Sequence, residues 1–225
     1  MTPSISPDVF ALRPDFTAVS LLVEGARNAP SDGDSAERLR EACGALEETP
    51  WAEAHLEAWR DAYRAFGAKP QRTPCSAEAL RRRAVRDGSP PTVNAIVDLY
   101  NAVSLRYALP IGGEDAARYA GAPALVRAAG GEPFDTVHEG APRVEPVDPG
   151  EVVWRDTQGV TCRRWNWRQG ARTRIGDDTT RMWFVLERLG PMPLEALLNA
   201  ADELVEGLSR LSPRMRTTQM VLAAP

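Results

Sequence analysis

Lysine is nearly missing from this chain: Lys69 is the single lysine among 27 basic residues. Almost all positive charge is therefore arginine, whose planar fork suits phosphates and stacks on bases. A GC-rich coding bias accounts for the overall excess without any function. Cysteine and histidine are also scarce. Cys43, Cys75 and Cys162 are scattered and odd in number, and neither His55 nor His138 lies near them in sequence. They form no disulfide framework and no paired ligand spacing, so no metal is expected. No apolar run approaches the ~20 residues of a membrane span, and MTPSISPDVFALRPD lacks the basic-then-apolar order of a signal peptide. The chain reads as cytoplasmic, with no membrane partner. No Ser/His/Asp or Cys/His nucleophilic pattern is visible. An enzyme built here must lean on backbone, carboxylates, hydroxyls or its own substrate. A net charge of -4 does not advertise a general nucleic-acid binder, and no DNA partner is expected.

What is present is ordinary globular material. The 225 residues are 43% apolar and 26% charged, enough for one large domain or one domain with an extension. Phe16 to Val23 reads as a strand, followed by the loop GARNAPSDGD. Asp34 and Glu37 form a capping pair for a first helix, and Thr49-Pro50 opens a second that stops at Gly67. Ser76 caps a third helix ending at Gly88, and Thr92 a fourth running to about Tyr107. Gly112-Gly113 reads as a tight turn. ALVRAA holds a short strand, EVVWRD and GVTCRRW a hairpin, and MWFVLE another strand. His138 falls in a Gly- and Pro-rich loop. Pro193 opens a final helix, and the tail after Ser212 is expected to fray. The pattern is α+β: a mixed, largely antiparallel sheet with flanking helices and an N-terminal α/β extension.

Three segments could carry chemistry. CRRWNWRQGARTR, Cys162 to Arg174, interleaves arginines with Trp165 and Trp167. If the strand continues, Arg163, Trp165 and Trp167 face one way and Arg164, Asn166 and Arg168 the other. Such a surface suits phosphates and unstacked bases. The alternative is that both tryptophans are core and the arginines a solvated edge. On the fourth helix, Asn94, Asp98 and Asn101 share one face, tying the helix to a loop or, for Asn101, facing a pocket. In DDTTRMWFVLE, Asp178, Thr179 and Thr180 organise a turn or cap. Glu187 ends the strand there, a costly residue if buried without a basic partner.

VDLYNAVSLRYALPIGGEDA resembles the segment V-D-x-x-N, helix, x-P-x-H-x-x-D of the phenylalanyl-tRNA synthetase beta subunit. GARTRIGDDTTRMWFVLE is similar to that module's G-A-x-S-x-V-x-x-D-T-T and its apolar strand ending in L-L-E. In order and spacing the motifs resemble the freestanding branch of the B3/B4 editing-domain family, over roughly Pro74 to Leu211. The resemblance implies an α+β fold with a pocket between two subregions. It places the helix asparagine on Asn101, the glycine of the G-A turn on Gly170 and the glutamate on Glu187. The family histidine falls on Gly112, a departure that removes one hydrogen-bonding group and weakens the carry-over of tyrosine specificity.

The resemblance further implies a deacylase acting in trans on a mischarged tRNA, with canavanyl-tRNA of the arginine tRNA as the first specific expectation. The expected division is an extension over residues 1–73 packed on the same unit, an editing domain over 74–212 and a tail over 213–225. Asn101, Gly170 and Glu187 are the catalytic candidates. Asp98, Asp115, Trp165, Asn166, Trp167, Gln169 and Thr173 are candidates for substrate contact. Arg81, Arg82, Arg83, Arg163, Arg164 and Arg168 are candidates for tRNA phosphates. No cofactor is implied. The expected partner is aminoacylated tRNA, with an aminoacyl-tRNA synthetase as a second. The rival readings are a catalytically silent RNA- or synthetase-binding module and a hydrolase of free small molecules.

Overall fold

The computed structural model describes residues 1–224, so Pro225 of the expected tail lies outside the described residues. In chain order the elements are β1 (Ser4–Ile5), α1 (Pro7–Leu12), β2 (Thr17–Glu24), α2 (Gly33–Gly44), α3 (Ala52–Ala65), α4 (Ser76–Asp87), α5 (Ala95–Tyr107), β3 (Ile111–Asp115), β4 (Ala124–Arg127), β5 (Pro133–His138), β6 (Ala141–Pro146), β7 (Val152–Arg155), β8 (Val160–Arg163), β9 (Arg168–Gln169), β10 (Arg181–Arg188), α6 (Leu194–Leu211) and β11 (Arg216–Ala223). The class is α+β with two sheets. One has four antiparallel strands in the order β11-β2-β10-β3. The other runs β1-β4-β7-β8-β5-β6, with β9 on β8, and is mixed because β1–β4 and β5–β8 are parallel.

Alternation along β10 sets the layers. Met182, Phe184 and Leu186, with Val19, Leu21 and Val23 of β2, pack under α5 and α6. Trp183 and Val185 point the other way, into a second core with Trp59 and Tyr63 of α3 and Val152 and Trp154 of β7. Period-2 alternation thus buries both faces of β10, which is why it reads as a continuous apolar run. The segment read as an extension is not peripheral to this arrangement. Its β2 is an interior strand, paired with β10 on one side and β11 on the other.

Several expectations are corrected. The tail does not fray after Ser212: Arg216–Ala223 pairs along the whole of β2 and covers its edge. Gly112-Gly113 is strand, not turn. A Cβ on Gly113 would sit 2.9 Å from both Phe184 and Tyr100 ring carbons, so glycine here serves close ring packing. His138 ends a strand, not a loop. Pro133, Pro142 and Pro146 mask the β5–β6 hairpin, and β6 tolerates proline because it is an edge strand. Helix starts also shift: Asp32 caps α2 through Ser35 N at 2.8 Å, and Asn94 caps α5 through Val97 N at 2.9 Å. Ser76 is the first residue of α4, not its cap, and α3 begins at Ala52, two residues beyond Pro50.

His55 is fully buried and structural. Its Nδ1 donates to Ala108 O at 2.9 Å, while Nε2 accepts from Trp59 Nε1 at 3.1 Å and Leu189 N at 3.0 Å. Burial lowers its pKa from 6.5 to about 4. Between those values the unfolded chain binds a proton that the native state does not, so stability falls as pH drops through the window. Relative to His55→Gln, the native chain should lose on the order of 3 kcal/mol more between pH 7 and pH 4. Urea unfolding of both proteins across that range checks this; parallel losses would refute it.

Candidate functional site

Between the two sheets lies a cavity of about 180 Å³. Gly112, Glu114, Val185 and Glu187 line it from the sheet side. Their register puts all four on the face of β3 and β10 that looks toward the second sheet. Trp154, Cys162 and Trp165 close the opposite side. Asn101 of α5, Ser76 of α4, Trp167, Arg168 and Gln169 also line it and are partly exposed, and the buried Asn166 lines it as well. The position that carries histidine in the resembled family is therefore on the cavity wall, and glycine leaves space there.

Glu187 is fully buried and has no ion-pair partner among the described residues. Its Oε1 accepts from Trp154 Nε1 and its Oε2 from Asn166 Nδ2, both at 2.9 Å. Tyr63 OH donates to Asn166 Oδ1 at 2.8 Å and fixes that amide. Burial raises the Glu187 pKa from 4.5 to about 8, against the effect of these hydrogen bonds. Glu114, which sequence reasoning missed, is a second such group. It is buried, accepts from Tyr119 OH at 2.6 Å, and is pushed by burial to about 7. The signal that could have found it is its place in the strand, opposite Trp183, which the glycine pair concealed. Two buried carboxyls with raised pKa values on one cavity are a functional-site signature.

The structure separates the other candidates. Asn101 lines the cavity with no hydrogen-bond partner among the described residues. The Ser76 hydroxyl and Trp165 Nε1 are also there, buried and unpartnered. Gln169 is committed to Gly113 O at 2.9 Å, which ties β9 to the free edge of β3. Asp98, Asp115, Thr173 and Gly170 do not line the cavity. Asp98 accepts from Val93 N and Ser31 Oγ, and Asp115 from Ala117 N, Arg118 and Thr179. Thr173 is buried behind the lining, beside Glu114. Gly170 N donates to Thr161 O at 2.7 Å, and its missing Cβ makes room for Asp135, 3.0 Å away, not for a ligand. Thr179 organises its turn by accepting from Gly176 N, whereas Asp178 is exposed. Burial pushes the Cys162 thiol well up, so it is no thiolate nucleophile.

The arginine candidates divide in the same way. Strand β8 stops at Arg163, and Arg164 and Trp165 take positive φ of 47° and 66°, so the expected alternation fails. Arg163 is buried in a bidentate pair with Glu151, at 3.0 and 2.8 Å. Arg81 donates to Leu105 O and Leu46 O inside the fold. Neither is available to phosphate. Arg82 is exposed and pairs with Glu78, and Arg83 is exposed. Trp165 is core, edge-on to Trp59 at 5.3 Å and Phe16 at 5.0 Å. Trp167 is partly exposed, with the guanidinium of Arg164 4.5 Å and that of Arg168 5.9 Å from its ring centre. Among the described residues no group of three or more His, Cys, Asp or Glu is placed to hold a metal.

Because Glu187 is raised from 4.5 to about 8, the native state keeps a proton that the unfolded chain has lost between those values. Stability therefore falls as pH rises through that window. Glu187→Gln keeps the acceptor for Trp154, and a flip of the Asn166 amide re-pairs the rest. The variant should lose less stability than the native chain between pH 5 and pH 8 in urea titrations. Equal losses would show that Glu187 is ionised throughout.

The comparisons follow this geometry. A family model described as the B3/4 domain matches residues 58–208, well over half of the chain. No curated protein matches the sequence. Among solved structures, the chain is similar to an N-terminal fragment of the phenylalanyl-tRNA synthetase beta-subunit from Pyrococcus horikoshii, at 12% identity and a TM-score of 0.49. That similarity covers 99% of this chain and 54% of the fragment, so the chain spans about half of the fragment's length. With its family match running from α3 into α6, the chain belongs to the B3/4 domain family.

Proposed function

We propose that the chain is a trans-acting deacylase that hydrolyses the ester between an amino acid and the terminal adenosine of a mischarged tRNA. The observation that carries this reading is the cavity with two buried carboxyls, Glu114 and Glu187, neither ion-paired among the described residues. Buried carboxyls without a cation are costly, and a bound cationic group offsets that cost by holding them ionised. An aminoacyl ester brings its ammonium group. A basic side chain brings a second cation, which makes canavanyl-tRNA of the arginine tRNA the first substrate to test. Asp98 and Asp115 are spent on the fold, so Glu114 takes the acidic role expected of them.

In the reaction, the oxygen of water adds to the ester carbonyl carbon and the bond from that carbon to the ribose oxygen breaks. The ribose oxygen leaves with a proton from the water, giving free amino acid and deacylated tRNA. Water is oriented by the neighbouring ribose hydroxyl and by Asn101. The amide of Asn101 and the hydroxyl of Ser76 are the free donors for the oxyanion, since Gly170 N is taken by Thr161 O. That same commitment of Gly170 favours one rival, a catalytically silent module that binds tRNA or a synthetase.

A deacylation panel tests the reading. Arginine tRNA carrying arginine or canavanine, and phenylalanine tRNA carrying phenylalanine or tyrosine, are incubated with the protein. Selective loss of canavanine is expected. Asn101→Ala and Glu114→Gln should each lower the rate about 10-fold or more while the variants still unfold cooperatively. Tight tRNA binding without hydrolysis of any ester would replace the deacylase with the silent module.

A further inference from the structure

Beside the ester cavity lies a second cleft of about 240 Å³, between the α3–α4 connection and the loop before β7. It is lined by Lys69 and Arg72 from one side and by Arg164 from the other. Lys69 and Arg72 are exposed, and among the described residues their side chains have no ion-pair or hydrogen-bond partner. Both project from one turn, closed by Arg72 N and Thr73 N on Lys69 O at 2.9 Å each.

Arg164 is aimed by its surroundings. Its positive φ turns the chain, its backbone N donates to Glu151 Oε1 at 2.9 Å, and its guanidinium lies over the Trp167 ring. Trp167 lines the ester cavity and Arg164 lines the cleft, so their stack is the wall between the two. Glu145 and Glu151 pair with Arg163, and Glu151 also lies 3.9 Å from Arg164 Nε, while Asp148, 3.6 Å from Arg163, is an exposed negative charge at the lip.

We infer that Lys69, Arg72 and Arg164, with Trp167 as stacking platform, form the docking groove for the single-stranded acceptor end of tRNA. The inference rests on the reading that the neighbouring cavity receives an aminoacyl ester. A terminal adenosine held at that cavity is covalently continuous with its strand, so the next phosphates must leave over one of the cavity walls. The Arg164–Trp167 wall has unpaired cations directly beyond it. Cation plus aromatic face is the chemistry that holds an unpaired RNA strand without reading its sequence. This moves the phosphate contacts away from Arg81 and Arg163, which the fold consumes.

The test uses the full chain and a short single-stranded RNA matching the acceptor end, with affinity measured by fluorescence anisotropy across a salt series. Removing two phosphate contacts from a single strand should flatten the plot of log affinity against log salt by about 1.4. Lys69→Ala/Arg72→Ala is expected to show that flattening. It should also raise KM for aminoacyl-tRNA while leaving kcat in place. Arg164→Lys keeps the charge but loses the planar stack, so it should weaken binding at an unchanged slope. Asp148→Asn should tighten binding. Arg210→Ala on α6, beyond the far face of the four-stranded sheet, should change nothing. An unchanged slope in the double variant, or no RNA binding by the native chain, overturns the docking groove. Ester hydrolysis by the native chain combined with an unchanged slope would sink the groove alone. RNA binding with the flattened slope but no hydrolysis would sink the deacylase and keep the groove.

Discussion

A carboxyl in the wrong place organises this molecule. Glu187 sits at the end of an apolar strand, fully buried, and the fold answers it with neutral donors. Trp154 comes from the second sheet and Asn166 from the turn after β8, while Tyr63 of α3 holds the Asn166 amide. One hydrogen-bonded chain thereby joins a helix, a turn and a strand from each sheet. Buried polar groups of this kind are costly unless every member is satisfied, so the chain specifies how the two sheets meet. The cavity is what remains where the sheets cannot close. Gly112 adds no side chain, and Glu114 stands along the same face without a cation.

The arginines show how local composition misleads and then informs. Within CRRWNWRQGARTR, the same residue type does opposite jobs within two positions. Arg163 is locked to Glu151 in the interior, whereas Arg164 is turned out by its backbone and laid over Trp167. Burial of the first positions the second, because Glu151 serves both the guanidinium of Arg163 and the backbone N of Arg164. Charge left over after such pairing is what a ligand can use. By that measure two cations without an ion-pair partner among the described residues, Arg72 and the single lysine of the chain, Lys69, line the cleft next to the cavity.

Legibility in the sequence followed the range of the interaction. Apolar runs such as MWFVLE and the helix after Pro193 declared themselves by periodicity, and the EVVWRD–GVTCRRW hairpin by its β-rich halves and short link. The β5–β6 hairpin did not, because Pro133 at the first position of β5 and the two prolines that the edge strand β6 tolerates look like breakers in isolation. Nor did β3, whose glycines are there for the rings of Phe184 and Tyr100 across the sheet. At the site, Asn101, Trp167 and Glu187 could be singled out by residue type. Asp98, Asp115, Arg81 and Arg163 could equally be singled out, and they turned out to be bound to partners distant in the chain.

The amino-acid sequence by itself determined the α+β class, the apolar faces and the motifs that mark the B3/4 domain family. These depend on local spacing, and spacing is written in the chain. Tertiary structure decided which polar residues are free to act. A carboxylate or guanidinium is available only if no partner claims it, and those partners arrive from other elements when the sheets pack. Asn101 and Ser76 are left open at the cavity, and Lys69 and Arg72 beside it, because no partner among the described residues reaches them, whereas Glu114 meets the Tyr119 hydroxyl but no cation.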